Sequence, residues 1–258
     1  MMLTMLTMLM MLMMLTRVES TKSLLISPFR SSTLFYRSAK NVRRSLLYSA
    51  KIPIFVAMEK IKNVVFDLGG VVFARDPRKF EPEFIRFFSY IMLPKMPEQW
   101  EEYDRGVVSY DEIITWLTEY NNCSRELAAE NLRRSILTQE AIPSTKALIE
   151  SLKAAGYKLY VLSNMSREFI DFLRQQEVYA NFDGEVVSCE EQVVKPDPEI
   201  YRRLIDRYDL QPANTLFIDD RKANVDAAIA QGWQGYHFDA RKPEASCEEL
   251  SDILLTNK

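Results

Sequence analysis

Apolar runs and amphipathic stretches alternate along the chain from residue 58 onward. Five short runs rich in apolar and β-branched residues have the length of buried strands, at 61–67, 157–163, 184–188, 215–219 and 235–238. Amphipathic stretches with helical periodicity lie between them, at 144–155, 166–176, 199–208 and 222–231. This alternation predicts an α/β fold, a doubly wound parallel sheet with helices on both faces.

The interval between the first and second predicted strands departs from this rhythm. It contains no convincing strand, and its pattern predicts four helices, at 80–90, 98–105, 110–120 and 125–138. Open α/β sheets bind ligands at the carboxyl ends of their strands, so a module inserted directly after the first strand would cover that edge. We therefore expect a core formed by residues 58–76 and 144–258, and a helical cap at 77–143.

The first 57 residues have a different character. Eight of the twelve methionines lie within the first 14 residues, in a low-complexity run. That run is shorter than the ~20 residues of a spanning helix, and no basic region precedes it. Residues 17–51 are basic, Ser-rich and acid-poor, as in organellar transit peptides. We expect 1–57 to lie outside the working protein, either as translation from a start codon upstream of Met58 or as a targeting segment.

The charge distribution argues against nucleic acid as the main partner. Residues 1–57 carry eight Lys and Arg against one acid, whereas residues 58–258 carry 25 basic and 35 acidic side chains. A phosphate backbone attracts clustered cations, so an acidic body disfavours it. Three widely spaced cysteines form no disulfide or zinc pattern, which is typical of a reducing, cytoplasmic location, and no membrane partner is expected. A single histidine, His237, disfavours a Ser/His/Asp triad and a histidine-based metal site.

Distinctive polar residues follow four of the predicted strands. In order along the chain they are Asp67, the pair Ser163-Asn164, Lys195, and the pair Asp219-Asp220. Each alone has an ordinary explanation, such as a turn acid, a helix cap or a solvated lysine. In a parallel sheet, however, all of them gather at one edge, and their joint occurrence in this order is harder to obtain by chance.

Phosphoryl transfer to a carboxylate explains this set of residues. The reaction needs a nucleophile, a divalent cation and fixed donors to the phosphoryl oxygens. Asp67 and Asp220 offer the hard oxygen ligands that Mg²⁺ prefers. Lys195 can neutralise phosphate charge, and the Ser163 hydroxyl can donate a hydrogen bond to the phosphate.

With these motifs, FDLGGVVF, VLSN, KPDPEIY and DDRKAN, residues 61–224 resemble the haloacid dehalogenase-like hydrolases. The resemblance implies a Rossmann-like core with an inserted helical cap and a Mg²⁺-dependent phosphatase of a small phosphorylated metabolite, with a sugar phosphate favoured. FDLGGV and KPDPEIY are most similar to the bacterial subgroup that includes glucose-1-phosphate phosphatases.

The resemblance also implies a role for each matching residue. Asp67 corresponds to the covalent nucleophile, and the backbone carbonyl of Gly69 to a metal ligand. Ser163 and Asn164 correspond to phosphate or substrate contacts, and Lys195 to the catalytic and phosphate-binding cation. Asp67 and Asp220 correspond to the carboxylates that bind the metal directly, whereas Asp219 acts on the metal indirectly. Asn224 corresponds to a polar residue that stabilises the site.

Gly69 is a departure from the family pattern. Phosphatases of the family usually carry an Asp two residues after the nucleophile, where it acts as general acid and base. The Gly69 carbonyl can bind a metal but cannot move a proton, and general acid–base catalysis is typically worth about 10²–10⁴-fold in rate. Either another group supplies the proton, for instance from the cap, or the enzyme is slow.

Two other readings stay open. A catalytically weak binding or regulatory protein on the same fold is suggested by Gly69, and a 2-haloacid dehalogenase would use the same aspartate without a metal. The acid pair Asp219-Asp220 favours a metal and therefore a phosphatase. The oligomeric state and the organic part of the substrate have no motif in the sequence.

Overall fold

The computed structural model describes residues 60–93 and 95–256. The expectations for residues 1–57 lie outside the described residues. Within the described part, no helix combines the length and the apolar character needed to cross a membrane.

A five-stranded parallel sheet forms the centre of the fold. Its strands are β1 (Asn63–Phe66), β4 (Lys158–Ser163), β5 (Gly184–Val187), β6 (Thr215–Asp219) and β7 (Gln234–His237). They lie in the order β5-β4-β1-β6-β7, and every neighbouring pair is parallel. This confirms the predicted α/β fold class, and it places β1 between β4 and β6.

Helices cover both faces of this sheet because its side chains alternate between two apolar layers. In β1, Val64 and Phe66 face one layer and Val65 faces the other, and all three are fully buried. Burying each such side chain contributes about 1.5–3 kcal/mol. The helices of the sheet domain are α5 (Pro143–Ala154), α6 (Arg167–Leu173), α7 (Ser188–Glu191), α8 (Pro198–Tyr208), α9 (Lys222–Ala230) and α10 (Pro243–Ser251).

Between β1 and α5 the chain forms a helical insertion with its own apolar cluster. Its helices are α1 (Pro82–Phe87), α2 (Glu98–Arg105), α3 (Tyr110–Asn121) and α4 (Arg125–Leu137). The cluster is rich in aromatic side chains and also includes Phe169 of α6, which belongs to the sheet domain. The insertion and the sheet domain therefore share apolar contacts.

Local sequence signals explain where the insertion's helices begin and end. Ser109 and Glu112 form a capping box at the start of α3, and Ser124 accepts a hydrogen bond from the Leu127 N–H at the start of α4. Gly106 ends α2 in the left-handed conformation, with φ of 81°.

The expectation that the interval contains no strand was wrong in one respect. Two-residue strands β2 (Phe73–Ala74) and β3 (Glu140–Ala141) pair antiparallel at the two ends of the insertion. Two residues are too few to show the alternation of polar and apolar positions by which a strand is recognised in sequence. The pair brings the two ends of the insertion together.

Candidate active site

The carboxyl ends of β1, β4 and β6 bring three polar side chains together. Asp67 follows β1, whereas Ser163 and Asp219 end the two neighbouring strands. The Asp67 backbone N–H donates to the Ile218 carbonyl at 2.9 Å, which extends the β1–β6 ladder by one residue. Regular strand pairing thus holds the Asp67 carboxylate between the ends of β4 and β6.

Two donors hold the same oxygen of Asp67. The Ser163 hydroxyl donates to Oδ1 at 2.7 Å, and the Lys195 ammonium lies 2.9 Å from that atom. All three side chains are buried or nearly so. With Oδ1 fixed in this way, the direction of Oδ2 is also fixed. In this structure the Ser163 hydroxyl, predicted to contact phosphate, donates to the Asp67 carboxylate.

Lys195 is the cation at the centre of the site. Its ammonium also donates to Asp219 Oδ2 at 2.7 Å and to the Leu162 carbonyl at 2.8 Å. Burial alone would lower the pKa of Lys195, but the Asp219 and Asp67 carboxylates raise it above its ordinary value. The side chain therefore stays charged and links the two acids.

The Asn164 side chain holds the segment that carries Lys195. Its amide oxygen accepts from the Lys195 backbone N–H at 2.7 Å, and its amide nitrogen donates to the Lys195 carbonyl at 3.0 Å. Asn164 also lines the cavity above the site. Its hydrogen bonds in this structure thus position Lys195, and the predicted contact of Asn164 with phosphate or substrate stays a prediction.

Asp219 is fully engaged by donors from the protein. Besides Lys195, the Asn224 amide donates to both of its oxygens, at 3.1 and 3.0 Å, and the Arg221 backbone N–H donates at 2.7 Å. Burial raises the pKa of Asp219, while Lys195 opposes that shift. Asp219 therefore serves mainly to hold Lys195 and the start of α9.

Asp67, Asp219 and Asp220 form an acidic cluster that suits a divalent cation. One carboxylate oxygen from each lies within 4.8 Å of the others. Burial, followed by repulsion from Asp67 and Asp219, raises the pKa of Asp220 to about 7. Three carboxylates thus face the single ammonium of Lys195, and a bound cation would relieve their repulsion. Carboxylate and carbonyl oxygens are the ligands that Mg²⁺ prefers.

The two glycines after Asp67 have different surroundings. Gly70 has φ of 77°, and a Cβ there would lie 2.8 Å from Asp220 Oδ2, so this position requires glycine. At Gly69 a Cβ would meet no atom within 4 Å, and Gly69 lines the cavity. Space is therefore open at the position where related phosphatases carry their proton donor.

A cavity of about 990 Å³ lies above the acidic cluster, between the sheet edge and the insertion. Its floor includes Asp67, Asn164, Lys195 and Asp220. Its wall on the insertion side contains apolar and aromatic side chains, namely Phe88, Ile91, Met96 and Trp100, and α6 adds Phe169.

Several charged residues of this cavity were not predicted from the sequence, among them Arg75, Asp104 and Arg221. Arg75 donates to the Ser135 carbonyl at 2.9 Å with its guanidinium 5.7 Å from the Phe88 ring centre, while Asp104 of α2 and Arg221 line the cavity. In sequence, Asp104 resembles a solvated helix acid within EEYDRG, and only the neighbouring Gly106 marks a tight structural position. His237, the single histidine of the sequence, is exposed, and its Nε2 lies 3.0 Å from the Asp220 carbonyl oxygen.

Comparison with known proteins places this geometry in a family. The profile of the haloacid dehalogenase-like hydrolases, described as hydrolase, matches residues 61–232. A sesquiterpene phosphatase from Aspergillus oryzae, astK, is 28% identical over 196 residues, which cover 75% of this chain and 96% of that protein. A D-ribitol-5-phosphate phosphatase from Bacteroides thetaiotaomicron is 28% identical over 211 residues, covering 75% and 98%.

A solved structure agrees with these similarities. A HAD-like family hydrolase from Porphyromonas gingivalis superposes with a TM-score of 0.57 at 28% identity, covering 74% of this chain and 98% of that one. The family profile extends over β1 to β6, the insertion, and the site residues from Asp67 to Asn224. The chain belongs to the haloacid dehalogenase-like hydrolases.

Proposed function

We propose that this protein is a Mg²⁺-dependent phosphatase that hydrolyses a small phosphorylated metabolite through a phosphorylated Asp67. The observation that carries the proposal is the arrangement of Asp67 itself. Its carboxylate lies at the floor of a cavity, is held by Lys195 and Ser163, and is adjacent to the acidic pair Asp219-Asp220.

The chain's own residues supply orientation and charge. With Oδ1 held by Ser163 and Lys195, Oδ2 of Asp67 attacks phosphorus while the bond to the leaving oxygen breaks. Lys195, kept charged by two carboxylates, attracts the phosphoryl dianion into the site. The insertion covers the cavity and limits the access of bulk water to the reacting atoms.

The acidic cluster provides the metal site of this proposal. Asp67, Asp220 and the carbonyl of Gly69 would hold Mg²⁺, and Asp219 would act on it indirectly. When bound, the cation supplies positive charge for the phosphoryl oxygens and offsets the mutual repulsion of the acids. The proximity of three carboxylates, with one oxygen of each within 4.8 Å of the others, supports this assignment, and the raised pKa of Asp220 agrees with it.

The substrate's organic group faces a mixed wall. Phe88, Trp100 and Phe169 offer apolar and aromatic surface, whereas Arg75 and Lys95 offer positive charge. Such a wall can pack against the apolar face of a sugar ring and against an aromatic or prenyl group. We therefore propose a panel that contains sugar 1-phosphates, sugar and polyol phosphates, aryl phosphates and prenyl phosphates.

The experiment is turnover of this panel, followed by release of inorganic phosphate, with and without Mg²⁺. We expect metal-dependent hydrolysis that Asp67→Asn abolishes while the fold is retained. Release of halide from 2-haloacids without added metal would instead indicate dehalogenation. Binding of phosphomonoesters without any turnover would overturn the enzyme proposal and favour a binding protein.

A further inference from the structure

The proposed reaction lacks a proton donor at the position the family usually provides. Formation of a phosphorylated Asp67 leaves a negative charge on the departing oxygen, and breakdown of that species requires a proton to leave the attacking water. Gly69 has no side chain to serve either need. A substitute must be an ionisable group that lines the same cavity as Asp67.

Asp104 meets this requirement by its location. It lies near the carboxyl end of α2 in the insertion, and it lines the cavity together with Asp67, Gly69 and Arg221. Its carboxyl group accepts a hydrogen bond from the Ser166 backbone N–H, in the loop that follows Ser163 and Asn164. When the phosphoryl group of a substrate rests on Asp67, the leaving oxygen lies in the cavity that Asp104 also lines.

Two hydrogen bonds fix this end of α2 against the sheet domain. The Ser188 hydroxyl donates to the Asp104 carbonyl, and it also accepts from the Met165 N–H at 2.9 Å. Tyr103 donates to Glu168 of α6 at 2.6 Å.

Gly106 completes the attachment of α2. A Cβ at this position would lie 2.5 Å from the Cys189 carbonyl oxygen, so the backbones of α2 and α7 meet closely. The contacts of Tyr103 and Gly106, together with the hydrogen bond to the Asp104 carbonyl, therefore fix the position of Asp104 in the cavity.

The surroundings of Asp104 favour the protonated form. Burial raises the pKa of Asp104 well above its ordinary value, and Asp67 and Glu101 raise it further. Arg221 and the Ser166 backbone N–H oppose this shift without cancelling it. Asp220 and Lys195 also face the cavity. A carboxyl group whose pKa is raised in this way holds its proton to higher pH and can donate it to a leaving oxygen.

We propose that Asp104 is the general acid and base that replaces the missing carboxylate at Gly69. This inference rests on the proposed phosphatase function. In the first step Asp67 bonds to phosphorus, the P–O bond to the leaving group breaks, and the Asp104 proton passes to the leaving oxygen to give an alcohol. In the second step water attacks phosphorus, its proton passes to the Asp104 carboxylate, and inorganic phosphate and free Asp67 result.

The test compares two aromatic substrates that differ mainly in leaving group, 4-nitrophenyl phosphate and benzyl phosphate. Nitrophenolate departs without a proton, whereas the benzyl alkoxide needs one. In Asp104→Asn we expect kcat/KM for benzyl phosphate to fall by about 10²–10³-fold, and for 4-nitrophenyl phosphate by less than about tenfold. The ratio between the two substrates is the readout, because a merely structural defect lowers both alike.

Glu102→Gln is the matched control. Glu102 lies on the same helix and bonds to Arg105 at 3.0 Å, and its variant should keep the wild-type ratio. Equal losses for both substrates in a folded Asp104→Asn protein would overturn the role of Asp104, while Asp67-dependent wild-type turnover would leave the proposed function intact. Absence of Asp67-dependent turnover in the wild type would overturn both.

Discussion

At the scale of single residues, the site is organised around one cation among three acids. The Lys195 ammonium forms ion pairs with Asp67 and Asp219. Asp220, the third acid of the cluster, lies beside these two carboxylates. The structure thus separates two functions. Asp219 positions the Lys195 cation within the protein, whereas burial and the neighbouring acids disfavour the charged form of Asp220, which the proposed metal would stabilise.

The effect of Asp220→Asn on stability tests how strongly the ionised carboxylate of Asp220 opposes folding. Because the folded-state pKa of Asp220 is raised to about 7, its ionisation opposes folding, and this penalty grows as pH rises from about 4 to about 7. Without metal, the variant should therefore melt higher than wild type at pH 8, by about 3–6 °C, and nearly equally at pH 4. Thermal denaturation in a chelator measures this difference.

The same variant should lose the benefit of the metal. We expect Mg²⁺ to raise the melting temperature of wild type at pH 8 and to bind Asp220→Asn about 10–100-fold more weakly by calorimetry. A variant that is no more stable than wild type in chelator, yet binds Mg²⁺ normally, would place the metal elsewhere.

Gly69→Asp tests whether the empty position can be refilled. The space around a Cβ at Gly69 is open, and Gly69 has no left-handed backbone to strain a side chain. We expect the variant to fold and to raise turnover of benzyl phosphate more than that of 4-nitrophenyl phosphate. When Gly69→Asp is combined with Asp104→Asn, the double variant should regain much of the benzyl phosphate activity that Asp104→Asn loses. Gly69→Asn combined with Asp104→Asn should not regain it. No substrate-dependent change in either background would contradict this account.

At the scale of elements, the sequence was a good guide to the regular parts of the chain. α2 was predicted at the residues where it is found. The five strands of the parallel sheet were predicted within one or two residues, because their apolar runs are long enough to recognise in sequence. The predicted parallel arrangement of the strands was enough to expect a cluster of polar side chains at one edge of the sheet, formed by Asp67, Ser163, Lys195 and Asp219.

What the sequence could not show is which atoms meet across the fold. The pairing of the Asn164 amide with the Lys195 backbone joins residues 31 positions apart, and no local pattern encodes it. Asp104 was missed because its burial arises from packing of α2 against the sheet domain. An acid on an amphipathic helix is usually solvated, so only tertiary structure distinguishes this one.

Gly106→Ala tests the attachment of α2. Alanine would bring both a left-handed backbone and a contact of 2.5 Å to the Cys189 carbonyl, so we expect a loss of about 1–3 kcal/mol and a displaced Asp104. Gly156→Ala is the matched control, since Gly156 has φ of 88° but open space around a Cβ. Denaturation should show a larger loss of stability for Gly106→Ala than for Gly156→Ala, and the ratio of kcat/KM for the two substrates should change more in Gly106→Ala. Equal losses in the two variants would argue that the close contact has no effect.

At the scale of the molecule, the proposed mechanism draws its groups from two parts of the chain. In that proposal the strand ends supply the nucleophile Asp67 and the metal carboxylates, and Lys195 supplies the cation. The insertion supplies part of the cavity wall and Asp104. The apolar cluster of the insertion includes Phe169 of the sheet domain, so the two parts pack against each other. Removal of the insertion is therefore expected to affect the chemistry as well as substrate selection.

Residues 1–57 contribute none of the groups in this account. We predict that a protein comprising residues 58–258 keeps the melting temperature and the kcat/KM of the full chain, because the family match begins at residue 61. Thermal denaturation and turnover of both proteins, side by side, check this. Loss of folding in the shorter protein would show that the segment stabilises the sheet domain.

The phosphorylated aspartate itself is the most direct test of the central claim. Protein that is turning over a ³²P-labelled substrate is quenched in acid, and the label bound to the protein is counted. In a parallel sample the acyl phosphate is reduced with borohydride, which converts a phosphorylated aspartate to homoserine and releases the phosphate. We predict acid-stable label in wild type, homoserine at position 67 by peptide mass spectrometry, and no label in Asp67→Asn. Rapid turnover in wild type with the label on another residue, or full turnover in Asp67→Asn, would contradict the account.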